Sequence, residues 1–220
     1  MPGSQAFIFD LNGTMIDDMQ YHSAAWFSIL NDDLKAGLTR EEVNLQMYGK
    51  NEELLDRIFG KGHFTKEEMA GISSKKEQAY QTAFRPYLHL IAGLPAFLEK
   101  ASRHHIRLAI GSAAIPFNID FVLDNLGIRP YFQAIVSADD VTVSKPDPET
   151  FVKAARMLGV PPEACIVFED APKGVEAALR AGMSCIVLTT MHEKEAFQRF
   201  TNVLRYIADY TDPSLDELFT

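Results

Sequence analysis

Five short apolar runs punctuate the chain: Ala6 to Phe9, Ile106 to Ile110, Ala134 to Val136, Cys165 to Phe168 and Cys185 to Leu188. Such runs, too short for core helices, mark strands buried on both faces. Between them apolar residues recur at helical spacing: Phe97, Leu98 and Ala101; Ile119, Val122, Leu123 and Leu126; Val152, Ala155 and Leu158; Val175, Ala178 and Leu179. Gly127, Gly159 and Gly182 stand where three of these helices would stop. The alternation predicts an α/β domain, a doubly wound parallel sheet covered by helices. Residues 16–86 break the rhythm with helical patterns alone. Thr39-x-x-Glu42 and Thr65-x-x-Glu68 fit the capping box. Val43 and Met47, then Leu54, Leu55, Ile58 and Phe59, then Met69, Ile72, Ala79, Tyr80 and Ala83 suit a small helical bundle. The expected organisation is a core of 1–15 and 87–220 with a helical insert over 16–86.

Composition and charge narrow the class. The 220 residues are 47% hydrophobic and 23% charged, which excludes a disordered chain, a collagen-like repeat and a disulfide scaffold. Lys and Arg number 21 against 30 Asp and Glu, a net charge of −9, so nucleic acid is not an expected partner. No apolar run approaches the roughly 20 residues that span a bilayer. Met1-Pro2-Gly3-Ser4-Gln5 has no basic stretch leading into a signal-length apolar segment. Cys165 and Cys185 read as core residues rather than a disulfide or metal pair. The expectation is a cytoplasmic protein, monomeric by default, that meets no membrane. Gly60-Lys61-Gly62 reads as a turn, His104-His105 as a helix end, and Asp216-Glu217 as a solvated helix face.

Candidate chemistry gathers at the ends of the expected strands, where ligands of parallel sheets bind. The first strand runs into Asp10-Leu11-Asn12-Gly13-Thr14; an ionised Asp10 suits a hard cation or nucleophilic attack. Ile110-Gly111-Ser112-Ala113-Ala114 offers a hydroxyl and backbone N–H groups to an anion. Ser144-Lys145-Pro146-Asp147-Pro148 places a lysine before a proline-opened helix. Glu169-Asp170 ends a buried run in adjacent carboxylates, which repel unless a cation or lysine lies between them.

These four segments, in this order, resemble the motifs of the haloacid dehalogenase superfamily of phosphotransferases. In that resemblance Asp10 is the nucleophile, Ser112 the second motif, Lys145 the third, and Glu169 with Asp170 the acidic metal-binding motif. The insert resembles the helical cap of the subgroup that includes β-phosphoglucomutase and many small sugar-phosphate phosphatases. Tyr21-His22 followed by Trp26, and Ser112-Ala113 with Asn118, fit that subgroup too. The resemblance implies a modified Rossmann core and Mg²⁺ held by Asp10, the backbone carbonyl of Asn12, Asp170 and Glu169. Ser112, Ala113 and Lys145 would hold the phosphate of a small phosphorylated metabolite. His22, Asn118, Gly49 and Lys50 are further expected substrate contacts, and Asp18 near the hinge is a candidate fourth acid of the site.

Two positions depart from the family. Its phosphatases and phosphomutases carry a second aspartate two residues after the nucleophile, and here that residue is Asn12. An amide donates a hydrogen bond but exchanges no proton, so general acid/base catalysis is compromised. A substitution that traps the phosphoenzyme, a leaving group or alternative donor such as His22 that dispenses with the acid, and a non-catalytic phosphometabolite-binding protein compete as explanations. In the cap loop Met47-Tyr48-Gly49-Lys50-Asn51-Glu52, Glu52 stands where the mutase has its phosphate-gripping arginine; Lys50 and the more distant Arg57 are the candidate replacements. The expected activity is therefore that of a phosphatase of small sugar or polyol phosphates, with phosphomutase activity as the alternative. A dehalogenase ranks below both, because a metal-free enzyme has no use for Glu169 and Asp170.

Overall fold

The computed structural model describes residues 5–219; residues 1–4, read above for a leader, lie outside them. The chain forms two compact units, one of Met1–Asp17 with His89–Thr220 and one of Asp18–Leu88. Six strands are described: β1 (Ala6–Phe9), β2 (Arg107–Gly111), β3 (Ala134–Val136), β4 (Cys165–Glu169), β5 (Ser184–Leu188) and β6 (Val203–Ile207). The α-helices described are α1 (Met19–Ser28), α2 (Arg40–Asn44), α3 (Asn51–Phe59), α4 (Lys66–Phe84), α5 (Leu94–Arg103), α6 (Pro116–Asn125), α7 (Glu149–Leu158) and α8 (Pro172–Arg180).

In the first unit the strands form one parallel sheet in the order β3-β2-β1-β4-β5-β6. The chain winds outward from β1 first to one side and then to the other, a doubly wound topology with its switch point between β1 and β4. Side chains alternate across β1. Ala6 and Ile8 pack with Phe151, Ala154 and Ala155 of α7 and Val175 and Ala178 of α8. Phe7 and Phe9 point to the opposite face, where Phe9 stacks on Phe168 at 4.8 Å and Phe7 on Phe97 of α5 at 5.6 Å. This two-sided burial explains the unbroken apolar run.

Glycines 127, 159 and 182 follow α6, α7 and α8 with φ of 66°, 65° and 75°, the left-handed geometry that stops a helix cleanly. Several details differ from the sequence expectation. β6 is an edge strand whose residues are mostly half-buried, so no apolar run announces it. Val152 and Leu179 face outward at 40% and 38% exposure, and Phe151 takes the inward position on α7. Asp216 and Glu217 are exposed, as expected of a solvated face, but lie on a 3₁₀ segment and pair at the surface with Lys100 (2.6 Å) and Arg205 (3.0 Å). Cys165 and Cys185 are buried free thiols. Among the described residues no helix is long and apolar enough to cross a membrane.

The second unit is helical. Trp26, Ile29, Leu30, Val43, Leu54 and Leu55 form its core, and both expected capping boxes open their helices, α2 from Thr39 and α4 from Thr65. α4 departs from its expected face. Ala79 and Ala83 are exposed, whereas Lys76, Glu77, Tyr80, Gln81 and Phe84 are buried.

Candidate functional site

The register of the sheet brings the sequence motifs together. Phe9 pairs with Ile110 on one side and Phe168 on the other, so Asp10 emerges level with Gly111-Ser112 and Glu169-Asp170. Its backbone N–H remains tied to the carbonyl of Phe168 at 3.0 Å. Lys145 reaches this point from the segment before α7 and donates to Asp10 Oδ1 at 2.6 Å and to Glu169 Oε1 at 2.9 Å. Burial works against the ammonium, but the two carboxylates outweigh it and hold its pKa above the ordinary lysine value. Lys145 is thus a fixed cation beside the nucleophile candidate.

The two acids after β4 have different surroundings. Glu169 gives Oε1 to Lys145, and its Oε2 accepts from the N–H groups of Asp170 (2.9 Å) and Ala171 (2.8 Å). Gly174 leaves room for that carboxylate, since a Cβ there would lie 1.7 Å from Oε1. Oε2 of Glu169 thus shapes the turn while Oε1 faces Lys145, so the residue expected as a metal ligand also fixes the lysine. Asp170 accepts from Thr14 Oγ1 at 3.3 Å. Burial first, then the charges of Glu169 and Asp10, push its pKa well above the usual carboxylate range.

Among the described residues no three His, Cys, Asp or Glu side chains are arranged to hold a metal. Mg²⁺ asks for less: one or two carboxylates, with water and substrate phosphate completing the octahedron. Asp10 and Asp170, with the backbone carbonyl of Asn12, fit that demand, because a buried carboxylate raised by two like charges is in the environment a cation relieves.

The loop after β1 is closely fitted. Gly13 has φ +74°, and a Cβ on it would lie 2.1 Å from Asp170 Oδ2, so only glycine passes here. Its carbonyl accepts from Thr190 Oγ1 at 2.6 Å. After β2, Ser112 is buried and its Oγ accepts from the N–H of Ala114 at 3.1 Å, while the Ala114 carbonyl accepts from Ala138 N–H. Ala113 follows in this turn, and Asn118 is buried in the first turns of α6. Thr14 and Thr190 escaped sequence reasoning. Extending the strand-end rule to Thr189-Thr190 after β5 would have found the second.

His22, Gly49, Lys50 and Asp18 belong to the helical unit. Lys76 Nζ lies 2.6 Å from His22 Nδ1 and 3.0 Å from both oxygens of Glu77. His22 Nε2 lies on the other side of the ring, 3.3 Å from Asp18 Oδ2. Asp18 also accepts from Tyr80 OH at 2.5 Å and is fully buried. Both ring nitrogens of His22 are thus engaged inside this unit, and so is Asp18, which was expected as a fourth acid of the site. Ile72, Lys76 and Tyr80 share one helical stripe, and a lysine within an apolar stripe was the available signal. In the cap loop Gly49 has φ +76° and Lys50 N–H donates to Glu53 Oε2 at 3.0 Å. Arg57 stacks on Tyr48 at 3.8 Å and donates to the carbonyls of Gln46 and Tyr48, both at 2.8 Å. Its Nε and Nη2 hold the loop through Gln46 and Tyr48.

Comparison with known proteins agrees with this geometry. Residues 5–182 match the haloacid dehalogenase-like hydrolase family. The fructose-1-phosphate phosphatase YqaB of Escherichia coli is 30% identical over 81% of this chain and 93% of its own. The β-phosphoglucomutase of Bacillus subtilis is 32% identical over 83% and 82%. The solved β-phosphoglucomutase of Clostridium difficile superposes with a TM-score of 0.84 at 26% identity, over 98% of this chain and 96% of that one.

Proposed function

The chain belongs to the haloacid dehalogenase-like hydrolase family, as an enzyme of its β-phosphoglucomutase-like subgroup, and on that premise we propose that it is a Mg²⁺-dependent phosphatase of small sugar or polyol phosphates. The observation that carries the reading is Lys145, largely enclosed and bonded at once to Asp10 (2.6 Å) and Glu169 (2.9 Å) at the switch point of the sheet. Phosphoryl transfer needs mainly positioning and neutralised charge. Asp10 attacks phosphorus, the ester P–O bond breaks, and an aspartyl phosphate forms for water to hydrolyse. Lys145 holds Asp10 Oδ1 in place and offsets charge on the phosphoryl oxygens. Ser112 and the N–H groups around Asn12 and Ala113 bind those oxygens. Asp10, Asp170 and the Asn12 carbonyl would hold Mg²⁺, which supplies charge neutralisation at the phosphoryl group.

The family relatives' names support the substrate class: they include phosphatases of fructose 1-phosphate and of validoxylamine A 7'-phosphate. Phosphatase is preferred to mutase because Arg57 is committed to the carbonyls of its own loop. Asn12 favours a second reading, a protein that binds phosphorylated metabolites with little turnover, since no carboxylate at that position can protonate the leaving oxygen. One comparison separates the two: the protein and its Asn12→Asp variant assayed with Mg²⁺ against a panel of sugar and polyol phosphates. The expected gain in the variant is about 10²-fold or more. No turnover from either form, with Mg²⁺-dependent phosphate binding intact, would overturn the enzymatic reading.

A further inference from the structure

We propose that Asn12 is a latent carboxylate, converted to aspartate by hydrolytic deamidation through the peptide nitrogen of Gly13. The inference rests on the reading of Asp10 as nucleophile, which gives position 12 its meaning. Asn-Gly is the dipeptide in which this reaction meets least hindrance, because glycine has no Cβ to obstruct ring closure. The nitrogen of Gly13 attacks Asn12 Cγ, a C–N bond forms, and the Cγ–NH₂ bond breaks with release of ammonia, which carries off the amide proton. Water then opens the cyclic imide. Cleavage of the Cγ–N bond restores the normal chain with aspartate at position 12. Cleavage at the backbone carbonyl sends the chain through Cγ as isoaspartate. Ammonia leaves, one water is consumed and no electrons move.

Three features of the structure bear on this site. Glycine at position 13 is imposed by packing, since its φ is +74° and a Cβ would lie 2.1 Å from Asp170 Oδ2. The susceptible dipeptide therefore persists for as long as position 12 is asparagine. Asn12 is only half-buried, so water can reach the imide. The Gly13 N–H donates to the Ile16 carbonyl at 2.8 Å, and Met15 N–H to Leu11 at 2.8 Å. This small turn must open before the nitrogen can attack, so local opening sets the rate, and conversion is slow in the folded protein. The product carboxylate appears two residues after Asp10, on the chain segment where a proton donor for the leaving oxygen is missing.

The test is to age the full-length protein at mildly alkaline pH in H₂¹⁸O and follow it by intact mass, peptide mapping and phosphatase assay. The expected result is one ¹⁸O and one added negative charge at Asn12, with activity rising with the aspartate fraction toward that of Asn12→Asp, a gain of about 10²-fold. The variant Asn12→Gln, whose longer side chain closes the ring poorly, is expected to gain neither charge nor activity. Asn12 unchanged in the folded chain over a period that converts it fully in denaturant overturns the proposal. So does conversion without a gain in activity when Asn12→Asp is active, because isoaspartate alone has then formed. If conversion proceeds and Asn12→Asp is itself inactive, the modification stands and the phosphatase reading falls.

Discussion

Each unit buries a lysine among carboxylates, yet the two clusters do different things. At the strand ends Lys145 faces Asp10 and Glu169 with Asp170 close by, three acids against one cation, and Asp170 is left with a raised pKa. In the helical unit Lys76 faces Glu77 and His22, while Asp18 Oδ2 is held by Tyr80 and His22, two acids against one cation. Burial pushes the Lys76 pKa down despite Glu77 and Asp18, whereas the Lys145 pKa is pushed up. The larger surplus of buried negative charge suits a site that binds a cation. A smaller surplus whose groups are tied to tyrosine and histidine of the same unit suits a scaffold.

The largest effects test this contrast directly. Lys145→Met leaves buried carboxylates without their cation; kcat is expected to fall at least about 10²-fold and stability by about 3 kcal/mol or more, read by steady-state assay and urea unfolding. Adding Glu169→Leu is expected to recover stability but no turnover. Lys76→Met is expected to destabilise by about 3–5 kcal/mol, and Lys76→Met with Glu77→Leu to recover most of it. Recovery of turnover in the Lys145 double variant would erase the distinction between site and scaffold.

The two clusters also give opposite pH slopes. Asp170 has a folded pKa above its ordinary 3.8. Over that window the native state holds the extra proton, so stability falls as pH rises. Asp170→Asn removes the fall and is expected to be the more stable protein at neutral pH without Mg²⁺. Lys76 has a folded pKa below its ordinary 10.5, so over its window the unfolded state holds the extra proton and stability rises with pH. Lys76→Met removes that rise. Each slope amounts to at most about 1.4 kcal/mol per pH unit, measurable as urea midpoints across pH. The smallest effect lies outside both clusters: Thr65→Ala loses the cap of α4, whose Oγ1 accepts from Glu68 N–H at 3.2 Å, and is expected to lower stability by about 1 kcal/mol in thermal unfolding.

The strand-end site was legible because β1, β2 and β4 are buried on both faces, and each polar residue after an apolar run marks the edge where the core stops. Asp10, Ser112, Lys145 and Asp170 follow from that rule. The split between Glu169 and Asp170 does not, because adjacent acids look alike until one meets Lys145 and two backbone N–H groups. Periodicity failed on α4, where Ala79 and Ala83 look like core and are exposed. A helix turns whichever face its partners can satisfy toward them, and here those partners are His22, Asn51 and Asp18.

By itself the sequence determined the α/β class, the first five strands, the helical insert and the order of the motifs, since burial period and turn chemistry are local properties. It also placed the unusual amide at position 12, next to a glycine. Only the tertiary structure decided that Lys145 bridges Asp10 and Glu169, that His22 and Asp18 are held within the helical unit, and that Asp170 carries the raised pKa. Those facts depend on distances between residues far apart in the chain, and the strength of a charge interaction is set by separation and burial, which no spacing along the sequence encodes.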